Sequence, residues 1–262
     1  MKWLWKKAIT LLSVQYAYML EYRAEIFLWA LSNSLPIILM GVWTKAANGG
    51  NFDLSAIDFA RYFIAVFLVR QLTVVWVIWE FEREVVEGSL SFYLLQPLDP
   101  VWHHVATHLG ERLGRAPLVV FLLILFFCLY PQAIWQPDLG KICLFSLTCV
   151  MAFTLRFLIQ YTFAMFAFWI ERAVAIQQFW LLFYLFLSGM IAPLDVFPPL
   201  MQKLTLWTPF PYMMYFPAAI IVGLEVDIVQ GILAILGWGL FFFIINRWLW
   251  RRGLKQYSGM GA

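Results

Sequence analysis

Between two long apolar runs the chain packs five charged side chains into eight residues: Glu80, Glu82, Arg83, Glu84 and Glu87. A cluster of that density cannot lie in hydrocarbon. The runs on either side are long and apolar enough to do so. The chain is therefore expected to leave a bilayer and re-enter it, crossing as helices that satisfy their own backbone hydrogen bonds. Composition agrees, with 63% hydrophobic and only 13% charged residues, whereas soluble domains carry about a quarter charged residues. The 262 residues leave room for about six spans of ~20 residues. No stretch remains that could form a soluble domain with its own core.

The pattern predicts an all-α integral membrane protein, one domain over residues 1–262. Residues 1–24 place Lys2, Lys6 and Lys7 near one side, while Leu4, Trp5, Ala8, Leu11, Leu12, Tyr16 and Met19 recur at helical spacing. This reads as an uncleaved amphipathic helix in the interface, since no small-residue cleavage site follows. Spans are expected over residues 26–44, with Pro36 as a kink, and over 59–79, 116–130, 142–168, 175–191 and 229–249. The Trp and Tyr residues mostly flank these spans as an interfacial belt.

Lys and Arg set the orientation. With the N-terminus cytoplasmic, twelve of the eighteen cations fall inside: Lys2, Lys6, Lys7, Arg23, Arg83, Arg112, Arg115, Arg172, Arg247, Arg251, Arg252 and Lys255. Four fall outside, namely Lys45, Arg61, Lys141 and Lys203. Both termini are thus expected in the cytoplasm, with the Glu-rich cluster inside as well.

Residues 80–100 form the handle of the molecule. Glu80 to Leu90 is expected to be a short helix whose charges, Glu80, Glu82, Arg83, Glu84 and Glu87, set register on a partner. Val85, Val86 and Leu90 would supply its apolar contact. Gly88 allows the turn that follows, and Pro97 and Pro100 stop the segment. On the opposite side, residues 193–223 hold Pro193, Pro198, Pro199, Pro209, Pro211 and Pro217. A straight helix cannot pass through them, and the segment is too apolar for an ordinary loop. Two short re-entrant helices fit both facts.

Little else carries chemistry. There is no GxxxxGK[ST] stretch, so the chain has no P-loop of its own. Cys128, Cys143 and Cys149 show no CxxC spacing and read as small packed hydrophobes. His104, His108 and Glu111 sit at i, i+4 and i+7, beside His103. That face could ligate a metal in a membrane-embedded lipid-modifying enzyme, or could be a polar helix face at the interface. Arg70 and Arg156 fall inside spans, near Gln71 and Gln160. Either they line a polar path, or they bond backbone carbonyls and fix packing. A non-transporting membrane assembly factor is a further reading.

The order of these parts resembles the membrane subunit of type-2 ABC exporters, the ABC-2 transporter permease family, in its bacterial branch. The resemblance is carried by LEYRAEIFLW at 20–29, EGSLSFYLLQPLDP at 87–100, FWIER at 168–172 and LSGMIAPLDVFPPLMQKLTLWTPFPYMMYFPAAIIVG at 187–223. Gln96 stands where relatives often have Arg. The resemblance implies a permease in the bacterial inner membrane that is not itself an enzyme. It implies pairing with a second permease, identical or homologous, and with cytoplasmic ATPase subunits that bind ATP and Mg. The chain itself would hold no cofactor and would bind no nucleic acid. It further implies outward movement of an amphiphilic, glycan or lipid-like substrate. Residues 80–100 would couple to the ATPase, Arg70 and Arg156 would line the path, and the prolines of 193–223 would form an outer gate.

Overall fold

The computed structural model describes residues 34–50 and 52–257, with residues 6, 9, 10, 12–14, 16, 17, 21, 24, 27 and 28. The interfacial helix expected over 1–24 falls mostly outside the described residues. Among the described residues every regular element is helical. α1 spans Leu35–Ala47 and α2 spans Ala56–Thr73. Residues 74–76 are not helical, and α3, Val77–Val86, resumes beyond them. α4 is Leu90–Leu94 and α5 is Val101–Leu129. α6, Leu139–Ala164, runs on through a 3-10 turn to Phe168. α7 is Val174–Leu187, α8 Pro199–Leu206, α9 Tyr215–Val222 and α10 Ile228–Gln256.

Four units are long and apolar enough to cross a membrane: residues 56–86 taken across the break, 101–129, 139–168 and 228–256. α1 and α7 are apolar but shorter, at 13 and 14 residues. Three long helices begin at a side-chain cap that satisfies a free backbone N–H. Ser55 and Asp58 form a reciprocal capping box on α2. Asp138 accepts from Lys141 N–H on α6, and Asp227 accepts from Gln230 N–H on α10.

Side-chain hydrogen bonds fasten the two ends of the bundle separately. At the capped end, Trp43 donates to Ile191 O at 2.7 Å and Trp135 to Ile221 O at 2.9 Å. Arg61 donates to Ala133 O and Ile134 O there. At the other end, Tyr257 donates to Gly88 O at 2.9 Å and Arg247 reaches Asp99 at 3.3 Å. The core lies around α2, whose Phe59, Tyr62, Phe63, Val66 and Val69 pack against α6 and α9. A second apolar cluster joins α3 to the end of α6 and to α10 through Phe81, Tyr161, Phe168 and Leu249.

Several expectations are corrected. Pro36 does not kink a span: it sits in the first turn of α1, where its missing N–H costs nothing. The second apolar run is not one helix, because residues 74–76 interrupt it. The polar connection before the third run is itself helical, so α5 begins at Val101, with His104, His108, Glu111 and Arg115 buried on it. The 80–90 helix is displaced to Val77–Val86, and Leu90 opens a separate helix.

Candidate functional site

The break between α2 and α3 would be costly at membrane depth unless its freed backbone groups found partners. α5 supplies them. Arg112 donates through Nε to Leu72 O, and through Nη2 to Val74 O at 2.9 Å. The N–H of Trp76 donates to His108 Nε2 at 3.1 Å. His108 Nδ1 lies 2.7 Å from His104 O, one turn back in its own helix. Nε2 therefore carries the lone pair and Nδ1 the proton. Arg112 also lies over the Phe153 ring, 3.8 Å from its centroid. The Arg115 guanidinium, 1% exposed, pairs with Glu111 at 3.4 Å and lies 5.4 Å from the Trp76 ring.

The acidic cluster divides by helical face. Glu80 and Glu84, one turn apart, both turn inward onto His104, at 3.5 and 3.4 Å. Glu82 accepts from Val174 N–H at 2.6 Å, at the start of α7. Arg83 and Glu87 are exposed. Gly88 follows at φ +76°, a left-handed turn that ends α3 without Cβ strain. Val85 and Leu90 are buried, at 4% and 0% exposure, so they pack inside the chain and cannot supply the contact expected of them. Val86 remains outside at 43%. It is joined by two apolar side chains that sequence reasoning left unassigned: Phe92, 70% exposed, and Leu95, 85% exposed. Phe92 and Tyr93 line an open groove of about 400 Å³ with Arg83, Glu84 and Glu87. Burial and the nearby carboxylates of Glu84 and Glu80 hold the Tyr93 phenol above its usual pKa. Helix α3 is thus tied to α5 on its inner face and open on its outer one.

The histidine face is real, since His104, His108 and Glu111 are all buried together on α5. They are spent on Glu80, Glu84, Trp76 and Arg115. Among the described residues no group of three or more His, Cys, Asp or Glu is placed to hold one metal ion.

Arg70 on α2 and Arg156 on α6 come within electrostatic reach of each other and share Tyr184 of α7 as a neighbour. Arg156 Nη1 donates to the Tyr184 hydroxyl at 2.8 Å and lies over its ring at 4.5 Å. Arg70 Nη1 lies 2.6 Å from the Met190 thioether. Gln160 and Gln177 join Arg156 and Tyr184 around a narrow crevice. The sequence marked the two arginines; Tyr184 gave no signal, standing in an apolar helix among other aromatics.

The proline-rich segment splits into an outer and an inner half. Pro198 and Pro199 open α8, which exposes Leu200 and Leu204, with Trp207 just beyond it, and buries only Thr205. Pro193 precedes one 3-10 turn and Pro211 begins another. From Pro209 to Ile221 every residue is buried, and Tyr215 N–H donates to Ser188 O at 2.9 Å. Eight-residue α9 is about 12 Å long, too short to cross. It ends at Gly223, φ +89°.

A family described as ABC-2 family transporter protein matches residues 27–261. That match takes in the broken helix, the α3–α4 corner, both intramembrane arginines and the proline-rich segment. Comparison with curated proteins finds no match. The all-helical bundle and the span of the family match agree, and the chain belongs to the ABC-2 family as the membrane permease of an ABC transporter.

Proposed function

We propose that this permease is one half of an exporter, and that the corner formed by α3, Gly88 and α4 is where a separate ATPase pushes on it. The observation that carries the reading is the exposed trio Val86, Phe92 and Leu95, beside Arg83 and Glu87. Large apolar side chains exposed among charges mark an interaction surface. Helix α3, which carries Val86 and leads into this corner, is bonded on its other face to α5 and to α7, so force applied at the corner has a rigid route into the bundle. ATP and Mg belong to the partner, and a second permease, identical or homologous, completes the membrane part. Six crossings with both termini cytoplasmic fit the Lys and Arg count. The bacterial inner membrane follows from the branch resembled.

In this reading Arg70 and Arg156 hold the anionic group of an amphiphile, a glycan or lipid-like substrate moved outward, because a guanidinium grips phosphate or carboxylate bidentately. The buried run from Pro209 to Ile221 closes the outer side, with α8 lying along the surface.

The test is co-purification with the partner ATPase. Phe92→Asp with Leu95→Asp should leave the permease folded and in the membrane, yet lower the recovered ATPase at least tenfold. Lys203→Glu, at the opposite end, should not. Wild-type recovery of the ATPase by the double variant would move docking elsewhere.

A further inference from the structure

Along α10 one stripe recurs every three or four residues: Leu233, Leu236, Leu240, Ile244, Arg247, Arg251 and Lys255. Its first four members are exposed and apolar. The last three are cations, and the border falls beside Trp248, itself half exposed. At that border Phe243, Ile244, Arg247, Arg251 and Lys255 line an open groove of about 550 Å³. Arg252 lies over the Trp248 ring at 4.5 Å, extending the cationic wall. Arg247 is anchored by Asp99 at 3.3 Å. Among the described residues no ion pair involves Arg251, Arg252 or Lys255.

We propose that this groove is a binding site for an anionic phospholipid of the leaflet at the α3–α4 end of the molecule. An acyl chain follows Leu240 and Ile244, and the phosphate sits between Arg251, Arg252 and Lys255. Two observations select this occupant. First, apolar wall, tryptophan and cations succeed one another in the order that acyl chain, interface and headgroup do. Second, a second copy of the chain is disfavoured on charge. Two-fold packing about the membrane normal runs the two α10 helices parallel and sets cation against cation. A helix C-terminus favours cations in any protein, but that effect accounts for neither the aligned apolar stripe nor the groove. The proposal is independent of where the ATPase docks.

The experiment is native mass spectrometry of the full-length permease released from nanodiscs of equal phosphatidylglycerol and phosphatidylcholine. Wild type should retain phosphatidylglycerol in clear preference. Arg251→Gln with Arg252→Gln should lower that preference about tenfold, because each cation near an anionic surface contributes measurably. Arg172→Gln, an exposed cation outside the groove, should leave it unchanged. Equal retention of both lipids by wild type would overturn the proposal without any variant. So would an unchanged preference in the double variant. Displacement of the lipid by millimolar inorganic phosphate would assign a free-phosphate site instead. Efficient cross-linking of two copies through Ile244→Cys in a cysteine-free background would assign the stripe to a second permease.

Discussion

The imidazole of His108 accepts the backbone N–H of Trp76 at 3.1 Å, across two helices and 32 residues of sequence. A side chain from α5 completes the hydrogen bonding of a helix that has come apart. Arg112, one turn further along, does the same for the carbonyls of Leu72 and Val74. The break is thus a fixed bend, held by two residues of one neighbour.

His108→Phe removes the acceptor of the Trp76 N–H and should cost about 1–3 kcal/mol. Arg112→Leu strands two carbonyls and should cost at least as much. His108→Gln keeps an acceptor and should lose less. Melting of the detergent-solubilised permease reads all three. A wild-type melting temperature for Arg112→Leu would show that the bend holds itself.

Glycines on α10 allow a contrast within one helix. A Cβ on Gly253 would run into the Phe168 ring, and one on Gly231 into the Phe216 ring. Gly253→Ala and Gly231→Ala should each destabilise by about 1–3 kcal/mol through overpacking. At Gly237 and Gly239 nothing stands within 4 Å. There Ala should be neutral or stabilising by up to about 1 kcal/mol, as the better helix former. Adding Phe168→Ala should relieve much of the Gly253→Ala clash, which a double-mutant cycle would register as coupling.

Arg156 and Tyr184 separate substrate handling from packing. Tyr184→Phe keeps the ring under the guanidinium and removes the 2.8 Å hydrogen bond; it should shift stability by about 1 kcal/mol and leave ATPase association intact. Arg156→Gln should assemble with the ATPase and melt near wild type, yet lose substrate-stimulated hydrolysis. A fall in yield and melting temperature with full activity in what folds would make Arg156 a packing residue.

The helical class and the long apolar elements were legible because hydropathy is local. The bend at Val74 to Trp76 was not. It contains neither Gly nor Pro, and the side chains that bond it lie on α5. For the same reason Glu80, Glu82 and Glu84 read as a solvated handle. Sequence showed their charge but not that His104 and the first turn of α7 stood opposite. The shared face of His104, His108 and Glu111 was visible from spacing alone; what it faced was not. Phe92 and Leu95 lay inside a recognisable motif, but exposure singles them out, and exposure is tertiary.

The bent unit from Ala56 to Val86 has the lowest mean hydropathy of the four long segments, and 72% of its apolar stretch is enclosed by the rest of the chain, against 17% for 101–129 and for 228–256. The translocon sorts segments by their apolarity as they emerge. The segment at the centre of the finished bundle therefore has the weakest independent claim to enter the bilayer. It carries Arg61 and Arg70 and ends among carboxylates whose partner, His104, is made later. During synthesis it must wait until α5 delivers His108 and Arg112. A nascent chain halted before residue 104 would present an unclamped bend and acids still without their histidine.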